Sequence, residues 1–327
     1  MSITSKDIRI WSRLGQRGSV FGVKMPEIAE NKSDLKLLTA DLAVLSGMER
    51  YMTNYPDKFL NVGIAEQNMI GIAAGLAMEG DRVFATTYAS FIAVRSLEHI
   101  RQHLSYLRCD VKIIGSSAGV VAAKSGVSHW ATEDLAFIRA LPGITVFSPA
   151  DSLEAMKIVD YAAKTEGPMY IRLSGGLNCP IVYKDDYEFI PGKLKELKKG
   201  DDIAIIATGL MVNESLRAEK LLNESGISCS VINAHTVKPI DKEGLEDIFR
   251  KHKMIVTVEE HNIIGGIGSA VAEVKAALTN APKQVFIGFQ DTYTAAGSQK
   301  FVWEQAGLTG ELIAKRITHE WSKINDR

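Results

Sequence analysis

The chain has 327 residues, 46% hydrophobic and 24% charged, with a formal net charge of -1; this is globular composition, and roughly 150 residues per domain suggests two domains. Near-neutral charge with dispersed Lys and Arg excludes an electrostatic surface for nucleic acid or anionic membrane, and no apolar run approaches the ~20 residues that cross a bilayer. The amino terminus MSITSKDIRIWSRLG lacks the hydrophobic core of a secretion signal, so a cytoplasmic protein is expected, with no nucleic acid and no membrane among its partners. Cys109, Cys179 and Cys229 are odd in number and far apart, which suggests idle buried thiols rather than a disulfide framework or metal knuckle.

In chain order, short β-branched runs alternate with helical stretches: LKLLTADL, the helix opening at Glu66, RVFATTY, SFIAVRSLEHIRQHL, VKIIGSSAG, EDLAFIRAL, ITVFSP, SLEAMKIVDYAAK and MYIRLSG. That alternation is the pattern of a parallel sheet covered by helices on both faces. After Glu66, the residues Met69, Ile70, Ile72, Ala73, Leu76 and Ala77 leave no consistently polar face, so this helix is expected to be enclosed on all sides. Residues 180–202, PIVYKDDYEFIPGKLKELKKGDD, lack an apolar period and read as a connector with a small hairpin. The alternation then restarts with DIAIIATG, MVNESLRAEKLLNESG, ISCSVINAH, DKEGLEDIFRKH, MIVTVEE, GSAVAEVKAALT and QVFIGFQD. The expected fold class is therefore α/β, two doubly wound domains with mainly parallel sheets, over residues 1–185 and 190–327.

Among the motifs, EEHNIIGGIGSAVAEV resembles a dinucleotide fingerprint, but Val271 stands where the third small residue should be, and glycines at such a turn often serve close packing alone. His99 and His103 lie one helical turn apart; Ile100 occupies the place of the glutamate a zincin requires, so a helix surface is the simpler reading. The loop AAKSGVSHWATEDL is small and flexible around Gly126 and presents His129 before an acidic helix start, a form that can offer an imidazole to a ligand.

Taken in order, LLTADL, FLNVGIAEQNMIGIAAGLAMEG, TTYASFIAVRSLEHIR, SGVSHWATEDLAFIRALPGITVFSPADSLEA, PMYIRLSGG, NAHTVKPID and TVEEHNIIGGIGSAVAE resemble the carboxyl-terminal half of transketolases, from about Leu35 to Ala272. The resemblance implies a pyrimidine-binding domain followed by a transketolase carboxyl-terminal domain, and thiamine diphosphate as cofactor. It places Glu66 on N1′ of the aminopyrimidine, where a shared proton favours the imino form that deprotonates the thiazolium C2; low dielectric around the helix magnifies that coupling. It implies that the pyrimidine stacks on Phe91, with Tyr88 a second wall, and that His129 contacts a substrate oxygen and transfers protons.

The family also needs a Gly-Asp-Gly motif followed by Asn, which holds the diphosphate through Mg2+ or Ca2+. No Gly-Asp-Gly occurs in this chain, so the resemblance implies an N-terminal partner subunit carrying that site and an α2β2 heterotetramer. Several phosphate-binding positions depart from the family. Gly175 stands where an arginine follows Leu-Ser, Ser117 lies near the place of a phosphate-facing histidine, and Ser125 replaces a sugar-reading aspartate. Arg172 is a candidate to compensate. The implied activity is transfer of a two-carbon ketol unit between sugar-type donor and aldehyde acceptor, with substrates other than the standard sugar phosphates one expectation. The alternatives are the β subunit of a 2-oxo acid dehydrogenase and a non-catalytic assembly subunit; a deoxyxylulose phosphate synthase would carry the absent half itself.

Overall fold

The computed structural model describes residues 3–325. Its first element is a helix that the apolar pattern does not announce, α1 (Ser5–Ser19). Thr4 caps it reciprocally: the Thr4 hydroxyl accepts from the Asp7 N–H, and the Asp7 carboxylate accepts from the Thr4 N–H at 2.9 Å, satisfying donors that a helix start otherwise strands. The helix kinks at Gly15, whose φ is 72°. Next come α2 (Met25–Asn31), β1 (Leu35–Thr39), α3 (Glu49–Asn54), β2 (Phe59–Asn61), α4 (Glu66–Met78), β3 (Arg82–Tyr88), β4 (Val111–Ser116), β5 (Thr145–Phe147) and β6 (Met169–Arg172).

These strands form a seven-stranded sheet in the order β2-β1-β3-β4-β6-β5, completed by a strand from later in the chain. The second half supplies β7 (Lys195–Lys198), β8 (Ile203–Ala207), β9 (Cys229–Asn233), β10 (Thr236–Lys238), β11 (Met254–Asn262) and β12 (Lys283–Phe289), five of which make a second sheet, β12-β11-β8-β9-β7. All pairings are parallel except those of β7 with β9 and β10 with β5. The two-domain α/β fold is as expected. β4 and β8 are buried along their whole length, because helices cover both faces of a parallel sheet and leave no solvent side for alternation.

Two local expectations change. The charged connector forms no hairpin; its Lys195–Lys198 segment adds instead to the edge of the second sheet beside β9, where Lys-rich composition suits an exposed edge. In addition, β10 leaves its own half and closes the edge of the first sheet on β5. The hydrophobic core is correspondingly continuous: a cluster that begins with Leu38, Ile70, Ile113 and Val146 runs on into Ile206, Ile232, Val237 and Phe249.

A polar lock accompanies this shared core. Glu154, fully buried on the helix Ser152–Ala162, accepts from the Ala150 N–H at 2.7 Å, Tyr187 OH at 2.7 Å, Tyr183 OH at 3.1 Å and the Asn233 amide at 2.9 Å. Burial pushes its carboxyl above the usual range, while the converging donors oppose that shift. The lock joins the first half (Glu154), the connector (Tyr183, Tyr187) and the second half (Asn233). Glu154→Leu strands these donors, and since each stranded group costs about 1–3 kcal/mol, the expected loss is at least about 3 kcal/mol, read as a lowered urea midpoint at pH 7. An unchanged midpoint would show that the lock contributes nothing.

Candidate active site

Ligands of open parallel sheets bind beyond the carboxyl ends of the strands, and the residues of interest converge at that edge of the first sheet. Glu66 opens α4. Its position is set by Asn61, whose side-chain oxygen accepts from the N–H groups of Asp41 and Gly63, each at 3.0 Å, clasping the turn after β1 to the turn after β2. Asp41 adopts φ 58° and Gly63 φ 73°, left-handed conformations that Asp tolerates better than most residues and glycine adopts freely. The Glu66 side chain is 4% exposed, and its Oε1 accepts from Arg95 Nη1 at 2.6 Å.

Tyr88 ends β3, and the chain then enters a helical segment wound partly in π turns, at Phe91–Arg95 and again at Ile100–Tyr106. The wider turn stacks the Arg95 guanidinium over the Phe91 ring, 4.2 Å from its centroid, and such bulges recur at functional sites. His129, in the tight turn Val127–His129, completes an aromatic triangle: its ring lies 5.3 Å from Phe91 and 5.8 Å from Tyr88, with Tyr88 and Phe91 5.7 Å apart. Ser128 Oγ sits 2.9 Å from His129 Nδ1, leaving Nε2 as the nitrogen available to a ligand.

These four residues, Glu66, Tyr88, Phe91 and His129, are thus brought together. The arrangement fits an aminopyrimidine: a planar group bearing N–H donors already lies on the Phe91 face and bonds the buried carboxylate, in the form of Arg95. The Arg95 side chain is 47% exposed. Among the described residues, no group of three or more His, Cys, Asp or Glu is disposed to hold a metal ion.

The remaining expectations are corrected or displaced. Arg172 is no substrate anchor: it is 1% exposed, paired through Nε with both Asp134 oxygens at 2.8 and 3.1 Å, and its Nη2 donates to the carbonyls of Ala131 and Glu260. With Nε and Nη2 engaged inside the fold, the guanidinium serves as an internal cation rather than one presented to a phosphate. Ser125 lies exposed on the turn Ala123–Ser125, its carbonyl accepting from Ser128 Oγ at 3.4 Å, so it belongs to the rim rather than to the aromatic triangle. Ser117 sits in a separate narrow cleft with Arg17.

The Gly265–Gly268 turn is occupied from within. The N–H groups of Ile267 and Gly268 donate to the Glu259 carboxylate at 2.7 and 3.0 Å, and a Cβ at Gly266 would strike Glu259. The chain's own acid fills the anion position at the helix start; burial pushes Glu259 up to about 7. Helix α4 is also not enclosed on all sides: Gln67, Asn68, Gly75 and Met78 are exposed, as is Ile64 just before it. An apolar sequence does not distinguish a core face from one left open.

Sequence reasoning missed Arg95, Asp41, Asn61 and Arg17 as site residues. The motifs containing the first three are quoted above, but the clasp and the stacked ion pair join positions 20 to 29 residues apart, and nothing local encodes them.

Comparison with known proteins follows the same lines. The family model for the transketolase pyrimidine-binding domain matches residues 18–179, and that for the transketolase C-terminal domain matches 192–313. The chain is 40% identical to a putative transketolase C-terminal section of Methanocaldococcus jannaschii, covering 93% of this chain and 95% of that protein. It is 36% identical to the 6-deoxy-6-sulfo-D-fructose transketolase subunit SqwH of a Clostridium species, covering 90% of each. A solved structure described as a split gene transketolase, an inactive beta4 tetramer, superposes with a TM-score of 0.83 at 38% identity, covering 93% of this chain and 97% of that one.

Because Arg172 is structural, Arg172→Met leaves Asp134 as an unpaired buried charge, and the expected destabilisation is about 3–5 kcal/mol. Chemical denaturation measures it; a variant of native stability would restore Arg172 as a candidate for substrate contact.

Proposed function

The chain belongs to the transketolase family, and from that premise we propose that it is the carboxyl-terminal subunit of a split, thiamine diphosphate-dependent transketolase, transferring a two-carbon ketol unit from a sugar-type donor to an aldehyde acceptor. The observation that carries the reading is the buried Glu66 carboxylate at the start of α4, beside the Phe91 face, in a chain with no Gly-Asp-Gly sequence. Residues 1–185 form the pyrimidine-binding part and 190–327 the carboxyl-terminal part of this assignment.

Thiamine diphosphate, when bound, supplies the carbon nucleophile that carries the two-carbon unit. Glu66 holds a proton at N1′ of the aminopyrimidine, a hydrogen bond strengthened by its near-complete exclusion from water. Phe91 presents a flat face and Tyr88 a second wall, which orient the ring. Arg95, now on the Phe91 face and bonded to Glu66 Oε1, would have to vacate both for an aminopyrimidine to be held there. His129, steadied by Ser128 through Nδ1, uses Nε2 to exchange a proton with a substrate oxygen as the carbon-carbon bond breaks or forms.

The diphosphate and its Mg2+ or Ca2+ are assigned mainly to an N-terminal partner subunit carrying Gly-Asp-Gly followed by Asn. A partner subunit packed on this side accounts for the exposure of Ile64, just before α4, and of Met78, at its end, 77% and 72%, and agrees with an α2β2 heterotetramer. The relative described as an inactive beta4 tetramer is what β chains without their partner would give. No helix among the described residues is long and apolar enough to cross a membrane; the cytoplasm is the compartment we assign, with Cys109, Cys179 and Cys229 all buried and unpaired.

Mixing the chain with such a partner, thiamine diphosphate and Mg2+ is expected to restore ketol transfer, and Glu66→Gln to lower kcat by about 10²- to 10⁴-fold, the range of a proton-transfer group, with the assembly unchanged on size exclusion. Undiminished turnover in Glu66→Gln would favour an inert assembly subunit. Acylation of lipoamide from a 2-oxo acid would instead identify a dehydrogenase β subunit.

A further inference from the structure

The loop that carries His129 belongs to the first half of the chain but packs on the second. Its neck is closed by paired backbone bonds, from the Gly119 N–H to the Ala131 carbonyl at 3.1 Å and from the Ala131 N–H to the Gly119 carbonyl at 2.9 Å. Val120, Ala123 and Trp130 of this loop lie in one buried apolar cluster with Val258, Phe289 and Val302 of the second half. Where the loop returns, β11 takes hold of it: the Asn262 N–H donates to the Thr132 carbonyl at 2.7 Å. The place of His129 opposite Phe91 and Tyr88 is therefore inherited from how this loop is anchored.

One carboxylate makes the polar part of that anchor. Glu260, on β11 and 2% exposed, turns Oε1 to three donors: the Val120 N–H at 3.2 Å, Gln299 Nε2 at 3.3 Å and Trp303 Nε1 at 2.7 Å. Three N–H groups on one oxygen, one of them closer than the roughly 2.9 Å usual for N–H···O, suit an ionised acceptor. Burial pushes the carboxyl up, and the Arg172 charge, followed by the three donors, opposes that shift. Oε2 is sealed from solvent and meets no donor among the described residues. It presses on Gly119, where a Cβ would lie 2.3 Å away; Gly119 also adopts φ 63°, so glycine answers both the contact and the turn. Gln299 and Trp303 are half-buried and within reach of water, so their satisfaction does not require a buried acid. A buried carboxylate with an idle oxygen is a costly fixture, and what it fixes is the neck of the His129 loop.

Resting on the transketolase reading above, we propose that Glu260 is a positioning residue for proton transfer by His129. It sets the loop through the Val120 N–H, and Trp303, on the helix Gln299–Ala306, sets the Glu260 carboxylate in turn. The second half thus acts on the chemistry without touching substrate. Glu66 and Phe91 stand on other elements, α4 and the π turn Phe91–Arg95, and are independent of this link. The two proton-handling duties of the site, that of Glu66 on the ring and that of His129 on a substrate oxygen, are therefore separable by substitution in the second half.

The test uses the full chain, both alone and reconstituted with its partner, thiamine diphosphate and Mg2+. Glu260→Ala is expected to lower kcat for ketol transfer by about 10- to 100-fold, the cost of a misplaced group, while hydrogen-deuterium exchange at the thiazolium C2, which rests on Glu66, keeps its wild-type rate. Glu260→Gln retains an acceptor for Val120 and restores most of kcat; Trp303→Phe gives an intermediate loss. In the chain alone, the His129 ring-proton NMR signals, identified by their absence in His129→Gln, report the placement of the ring against Phe91 and Tyr88. They are expected to shift in Glu260→Ala and in Trp303→Phe. Should Glu260→Ala fail to fold, the readings on Trp303→Phe decide. Parallel loss of transfer and C2 exchange, undiminished transfer, or unmoved His129 signals overturns the proposal. Shifted His129 signals with no ketol transfer by the wild-type complex keep Glu260 as the residue that sets His129 and reject the transketolase reading.

Discussion

The buried guanidinium of Arg172 is the constraint on which the site's geometry depends. It ties the end of β6 to Asp134, to the Ala131 carbonyl at the close of the His129 loop, and to the Glu260 carbonyl on β11 in the second half. Desolvating an arginine is costly unless every donor and its counter-charge are placed, so these groups must assemble together. The Glu260 carboxylate extends the network, accepting from the Val120 N–H at 3.2 Å and Trp303 Nε1 at 2.7 Å. The loop from Ser117 to Asp134 is thereby held at both ends by the second half, which gives that half a part in positioning His129.

The aromatic site is rigid where the chain supplies it and open where another subunit is assigned. Asn61 fixes the start of α4, and the π turn fixes Phe91 relative to Tyr88, so the carboxylate and the stacking face arrive prearranged. Arg95 meanwhile neutralises a carboxylate that would otherwise be both buried and unpaired, an expensive state. A guanidinium stacked on an aromatic ring is held by cation-π attraction, yet with half its surface in water it is the easiest of these groups to move.

Helix α1 changes the view of the departures at Gly175 and Ser117. Reading Gly175 and Ser117 as losses leaves a cleft without a cation, and Arg172 as the nearest substitute in sequence. In the folded chain the losses and the gain share one cause, because the Gln16 splice against Gly175 leaves no volume for a side chain and simultaneously sets Arg17 beside Ser117. Residues some 100 apart in sequence thus meet through a helix whose own composition is unremarkable.

Local and ordered features were legible without coordinates. The α/β class follows from the alternation of fully apolar strands such as DIAIIATG with helical stretches, because a doubly covered parallel sheet imposes that pattern on each strand by itself. The residues Glu66, Tyr88, Phe91 and His129 were marked by motifs in order, and the incomplete match at Val271 argued against a nucleotide turn. Tertiary structure alone decided what each side chain meets. The sequence around Arg172 and Arg17 does not say what either meets, and only the packing of distant segments determines which is consumed by Asp134 and which is left facing a cleft. The same holds for β10 and for the open side of α4: strand pairing and burial are relations between segments, and a segment's own sequence records its capacity for them but not its partner.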